Sequence, residues 1–182
     1  MLDNFHEEVA VKRNRSLNTL LYGVAWIAMI ILAVLAFSNL QYVVNLILNG
    51  SFDIATIVTT LVCGALAVLI WMKKDNLRVE YDYTFTNGDL DVGKVFGNSR
   101  RKLMTSLAMK NVESAGAVTD KSFQRFMNNK DVKKHNWFVN RDAKLYYFYF
   151  VKNEVRHAII LELSDEMITM LKPYLPFGVW QG

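Results

Sequence analysis

Hydrophobic positions along the chain fall into three successive regimes: two unbroken apolar runs, a long stretch of alternation, and a short closing stripe at helical spacing. The first run, Leu17 to Phe37 (LNTLLYGVAWIAMIILAVLAF), and the second, Ile54 to Met72 (IATIVTTLVCGALAVLIWM), contain no charged residue. At about 1.5 Å of rise per residue, each is long enough to cross a hydrocarbon core of about 30 Å as a helix. Transmembrane helices are therefore predicted over 17–37 and 54–72. They separate an N-terminal segment (1–16), a connector (38–53) and a domain (77–182). In the connector, Leu40, Val43, Val44 and Ile47 recur at helical spacing, which suits an extension of the first helix or a segment lying in the membrane interface.

From Leu77 the period drops to two. Val79, Tyr81, Tyr83 and Phe85 share one face and Glu80, Asp82, Thr84 and Thr86 the other, and Asn87-Gly88 is the dipeptide best suited to a two-residue hairpin turn. With Thr86 opposite Asp89, Phe85 faces Leu90, Tyr83 faces Val92 and Val79 faces Phe96, so the apolar faces of the two strands coincide. Gly97-Asn98-Ser99 reads as a second turn. Further strands are predicted near Arg101–Met109, Asn111–Val118, Trp137–Asn140, Lys144–Val151 and Val155–Leu163, with a helical insert near 120–129. Ser164 is a good N-cap, Asp165 and Glu166 suit a first turn, and Leu163, Met167, Met170, Leu171 and Tyr174 form one stripe. A closing helix is thus predicted near 165–175, ended or kinked by Pro173. The tail LPFGVWQG is expected to lie back on the domain or on the membrane. At the other terminus Leu2, Phe5 and Val9 stand at helical spacing, which suits a segment lying against the bilayer or the β-domain.

Charge turns this layout into a topology. The connector has no Lys or Arg, whereas Lys12, Arg13 and Arg15 flank the first run and Lys73, Lys74 and Arg78 follow the second. The positive-inside rule then puts both termini in the cytoplasm at the inner membrane and the connector outside. The first run is too long for a signal peptide, follows Asp3, Glu7 and Glu8, and lacks a small-x-small cleavage site, so it is expected to be retained. Asn49-Gly50-Ser51 matches a glycosylation sequon, a triplet common by chance. Thr60 with Gly64, and Thr59 with Cys63 and Ala67, have the small-residue spacing of close helix packing, either of the two helices on each other or on another membrane protein.

The single cysteine, Cys63, lies in an apolar run and excludes an internal disulfide or a CxxC site. His6, His135 and His157 lack any tight ligand spacing and read as surface or packing residues. Glu80, Asp82, Asp89 and Asp91 would lie close together in the hairpin, but not at EF-hand spacing. They read as a solvated strand face, with Arg100 to Lys102 as neighbouring partners. No phosphate-cradling glycine loop or GxSxG elbow occurs. No catalytic residue, cofactor or metal site is expected, and the chain is read as non-enzymatic. The local charge that stands out runs from Asp120 to Lys144, with seven bases against three acids. Its candidate lipid- or partner-binding residues are Lys121, Phe123, Arg125, Phe126, Lys130, Lys133 and Lys134. Either the phenylalanines cover the β-domain and the charges face water, or the element docks on anionic lipid or on a protein. No nucleic-acid recognition motif accompanies it, so nucleic acid is not an expected partner.

Many antiparallel strands followed by one amphipathic helix is the order of a pleckstrin-homology-like barrel, whose helix plugs one open end. The stretch YDYTFTNGDLDVGKVFGNSRRKLMTSLAMKNVESAGAV resembles the opening hairpin of bacterial PH-domain membrane proteins. The resemblance lies in Tyr81 or Tyr83, Thr86, the strand Leu90 to Phe96, Gly97, the bases Arg100 to Lys102, and Val112. With its two preceding spans, the chain is similar to bacterial proteins in which a PH-like domain follows a membrane hairpin. The resemblance implies a two-helix membrane hairpin plus a mainly β (α+β) PH-like barrel capped by a C-terminal helix. It departs from phosphoinositide-binding PH domains in carrying acids, not bases, on the first hairpin, so the familiar inositol-phosphate site is not expected there. The expected role is an adaptor or complex subunit that works by protein–protein contact at the membrane surface, with an anionic-lipid-sensing module as the alternative. The bilayer and a protein are its expected partners, and a homo-oligomer is compatible with the same reading.

Overall fold

A computed structural model describes residues 4–97 and 99–181; Leu2 of the N-terminal stripe and Asn98 of the second turn lie outside the described residues. The chain divides into two compact units, Asn14–Arg78, and Met1–Arg13 together with Val79–Gly182.

In the first unit, α1 (Arg15–Leu48) and α2 (Ile54–Lys73) are both long and apolar enough to cross a membrane. Helix α1 runs on through Val43 to Leu48, so most of the 38–53 connector is helical. The turn that follows uses Gly50 at φ 71°, in the left-handed region that favours glycine. Asp53 caps α2 by accepting the Ala55 N–H at 3.0 Å and the Thr56 hydroxyl. The hydroxyls of Thr59 and Thr60 donate to the carbonyls of Ala55 and Thr56 in their own helix. Near the start of α1 and the end of α2, cations gather on aromatic rings. The Lys74 ammonium lies 4.8 Å from the Trp26 ring and the Arg78 guanidinium 4.1 Å from that of Tyr22. Aromatic rings with basic side chains are the usual furnishing of a membrane–water interface.

The second unit holds two sheets. The first comprises β1 (Phe5–Ala10), β2 (Val79–Thr86), β3 (Asp89–Phe96) and β4 (Arg100–Ala108) in the order β1-β2-β3-β4. The second comprises β5 (Val112–Ala117), β6 (Val132–Trp137), β7 (Leu145–Lys152), β8 (Val155–Glu162) and β9 (Trp180–Gln181) in the order β6-β8-β7-β5-β9. Helices α3 (Lys121–Met127) and α4 (Asp165–Leu171) complete it. The β2–β3 register pairs Thr86 with Asp89, Phe85 with Leu90 and Tyr83 with Val92. Its turn needs two left-handed residues, which Asn87 (φ 49°) and Gly88 (φ 100°) supply. A side chain at Gly88 would also run into the Tyr174 ring, 2.8 Å from its Cβ position.

Alternation turns Tyr83, Phe85, Leu90 and Val92 of one sheet toward Phe148, Ile159 and Leu161 of the other, and all are buried. Met167 and Leu171 of α4 complete this core. The Ser164 side chain caps α4 by accepting the Met167 N–H at 3.1 Å. This mixed α/β architecture is consistent with a PH-like fold. Among the described residues neither sheet closes on itself, so the expected barrel is observed as two sheets and a helix.

Two expectations are corrected, and one alternative is decided. The N-terminal segment is a strand: Phe5 pairs with Thr86 and Ala10 with Tyr81, because the edge of β2 offers backbone partners that a lone helical turn lacks. Its polar His6 and Glu8 are partly covered, while Phe5 and Val9 stay 56% and 50% exposed. The strand expected at Trp137–Asn140 instead ends at Trp137. The next backbone donors are claimed by a side chain, Val139 and Asn140 N–H donating to the Glu162 carboxylate at 3.2 and 2.9 Å. The tail, left open between domain and membrane, returns to the domain as β9, parallel to β5. Asn140 also ties down the chain after β1. Its amide donates to the Val11 carbonyl at 2.9 Å and its side-chain oxygen accepts the Arg13 N–H at 2.9 Å.

Candidate docking surface

Helix α3 is short, and one side of it is held by aromatic contact. Phe126 stacks on Tyr149 with ring centroids 4.4 Å apart, and Phe123 lies 5.4 Å from Tyr147. The Tyr147 hydroxyl donates to Ser122 Oγ at 2.9 Å and sits 3.1 Å from Ser114 Oγ. Tyr147 and Tyr149 alternate with the core residues Phe148 and Phe150, so α3 lies on the outer face of the second sheet. The two phenylalanines of the candidate set are therefore structural contacts.

The bases around them are divided. Lys121, Arg125, Lys130 and Lys133 are exposed, and among the described residues none makes an ion pair. Lys134 donates to the Met127 carbonyl at the C-terminal end of α3, where a cation meets the negative pole of the helix. Arg125 lines a shallow outer cleft with Glu113, Asn129, Tyr149 and Arg156. Lys133 alternates with Lys134 along β6 and falls on the face of buried Trp137, apart from the α3 group.

On the first sheet, one acid of the hairpin is neutralised by the next strand. Asp82 is buried, and its carboxylate meets the Arg101 guanidinium at 2.8 Å. Arg101 reaches it across β3 because residue 93 is glycine; a Cβ there would lie 3.0 Å from Arg101 Nε and 3.6 Å from Asp82 Cβ. Among the described residues no cluster of three or more His, Cys, Asp or Glu could hold a metal ion.

The pairing of β6 with β8 brings together two residues that are remote in sequence. The strands run parallel, with Lys133 opposite His157 and His135 opposite Ile159. His135 Nε2 and His157 Nδ1 are 3.1 Å apart, one donating to the other. His135 stacks on Trp137 and His157 on Phe150, at centroid distances of 4.9 and 5.4 Å. A cavity of about 260 Å³ opens beside them, lined also by Met104, Thr105 and Lys152. Burial, then the charge of Lys133, holds His135 below the usual imidazole range. His157 is lowered by burial, by His135, and by Lys133 and Lys152. No spacing in the sequence marks this pair, which exists only through a strand pairing 22 residues apart.

Two facing sheets with a helix against their shared core are the arrangement of a PH-like domain, a fold that does not by itself define a function. The chain belongs to the family described as Bacterial PH-like domain (DUF6106), whose model matches residues 3–181 and so includes the helical hairpin. Comparison with curated proteins returned no match, and comparison with solved structures returned none either.

Proposed function

We propose that the protein is a two-span inner-membrane protein that presents its PH-like domain in the cytoplasm as an adaptor or complex subunit. The sheet supports the topology. Strand β1 precedes α1 and pairs with β2, which follows α2, so the chain must return to the side it left, as two crossings allow. The bias of Lys and Arg toward the outer ends of the hairpin favours the cytoplasm for that side.

The partner reading is carried by one observation: Lys121, Arg125 and Lys130 stand exposed without a counter-ion among the described residues, while Phe123 and Phe126 are engaged by Tyr147 and Tyr149. Cations without a free apolar anchor suit the acidic surface of a protein, where complementary charge steers encounter and sets orientation. Tethering to the bilayer raises the local concentration, so weak contacts suffice. The same cations support the alternative, in which anionic headgroups are bound at about 1 kcal/mol per base near the leaflet.

Mild-detergent purification of the tagged full-length chain from its native membrane, followed by mass spectrometry, tests the proposal. The expected result is a stoichiometric protein that is lost from the Lys121→Gln, Arg125→Gln, Lys130→Gln variant. Enrichment of anionic lipid with no protein partner would overturn the adaptor reading in favour of lipid sensing.

A further inference from the structure

Trp137 stands between two different polar environments. Its carbonyl accepts the buried Tyr83 hydroxyl at 2.5 Å, a closed arrangement inside the core. Its ring stacks on His135 at the open mouth between the sheets, where the imidazole pair meets the cavity of about 260 Å³.

The chemistry of that mouth is one-sided. Met104, Trp137 and Phe150 form apolar walls, Thr105 adds a hydroxyl, and none of the lining residues is a carboxylate. The cations facing the pair are Lys133 from β6 and Lys152 from β7; β4 contributes no charged lining residue, and Arg156 of β8 lines the outer cleft instead. In the neutral pair one imidazole donates and the other accepts, which leaves one free N–H and one free lone pair. One added proton converts that lone pair to a donor without breaking the bond between the rings. The pair then carries a charge of +1 and two free N–H groups beside two lysines. Such a constellation matches an oxyanion, whose oxygens accept hydrogen bonds and whose charge offsets the crowding of cations.

We propose that this mouth is a binding site for a small oxyanion of the phosphate class, held by the His135–His157 pair and Lys152. The source is a free anion or the phosphate of a lipid headgroup, and binding takes up one proton. Affinity therefore falls about tenfold per pH unit once the pair is neutral for an anion of fixed charge, and for phosphate once its own second ionisation is also passed.

The test uses the full-length chain in nanodiscs and the imidazole Cε1–H resonances, with His6 as internal control. In discs of zwitterionic lipid, titration with inorganic phosphate at pH 6 is expected to shift His135 and His157 saturably and leave His6 in place. A response only in discs of anionic phospholipid, without added phosphate, would support the same site with a headgroup as the source. His157→Gln should abolish the response of His135. Lys152→Ala, which leaves the imidazole pair intact, should weaken the response several-fold and so guards against misfolding of the histidine variant. No shift in either disc, a shift shared equally by His6, or an affinity unchanged between pH 6 and pH 8 would overturn the proposal.

Discussion

The acidic hairpin and the basic insert look alike in sequence, each a cluster of like charge beside aromatic residues, yet the fold puts them to different uses. Asp82 is buried and met by Arg101, whereas Lys121, Arg125 and Lys130 stand in the open with no counter-ion among the described residues. The neighbours make the difference. Strand β3 lies between β2 and β4, so the next strand can deliver an arginine to an aspartate two strands away. Helix α3 has a sheet on one side only, which takes its phenylalanines and leaves its cations to water. A charge cluster in a sheet is thus neutralised where an adjacent strand carries the opposite sign, and stays available for a partner where none does.

The sharpest way to break this contrast is Arg101→Ala. The Asp82 side chain is 8% exposed and that of Arg101 52%, so the substitution strands a buried carboxylate whose remaining side-chain donor among the described residues is the Thr84 hydroxyl at 3.5 Å. A loss of about 2 kcal/mol is expected, in the range for hydrogen bonds to charged groups and below that for fully buried pairs, because Arg101 is half in water. Thermal unfolding of the β-domain in the full-length chain measures it. An unchanged melt would mean that the hairpin is no more self-contained than the insert. Gly93→Ala should follow at about 1 kcal/mol, since the new Cβ displaces the flexible end of Arg101 and not backbone. The two substitutions act on one ion pair, so the double variant should lose less than the sum.

What the sequence revealed and what it concealed divide along the same line of local against distant neighbours. The β2–β3 register and the Ser164 cap were readable because Asn87-Gly88 and Ser164-Asp165-Glu166 act within a few residues of themselves. The strand β1 was not, because its partner lies across the whole helical hairpin and its alternation runs against the usual rule, with Phe5 and Val9 outward. The end of β6 depended on Glu162, more than 20 residues away, taking two backbone N–H groups. Composition was enough to mark the bases of the insert. It could not separate Lys133 from the rest, because that separation follows from the pleat of β6.

The imidazole pair is an intermediate case, a group of bases partly buried without a carboxylate lining its cavity, and its effect on stability should be smaller than that of Gly93→Ala. In the folded chain both rings are held below the ordinary imidazole value of 6.5, by burial first and then by neighbouring positive charge. The unfolded chain therefore takes up protons at a higher pH than the folded one. Stability is full above pH 6.5 and declines as the pH falls through the lowered values. The melting temperature should drop modestly over that window, and the His135→Gln, His157→Gln variant should flatten the decline. A melting temperature that rises on acidification would contradict the arrangement of the pair.

The smallest change in stability is expected where the change in binding is largest. Replacing Lys121, Arg125 and Lys130 by glutamine removes three exposed charges that make no ion pair among the described residues, so the melting temperature should stay within measurement error. The same variant should lose the proposed protein partner, because the phenylalanines of α3 are already engaged by Tyr147 and Tyr149. Replacing Phe126 by alanine reverses the pattern, since the ring stacks on Tyr149 and lies 5.7 Å from Tyr147, and its removal should loosen α3 before it affects any partner. If the triple variant melted earlier as well, the cations would be holding the insert in place. The contrast with Asp82 would then be one of degree, two charge clusters both engaged in the fold, and the partner surface would have to be sought elsewhere on the domain.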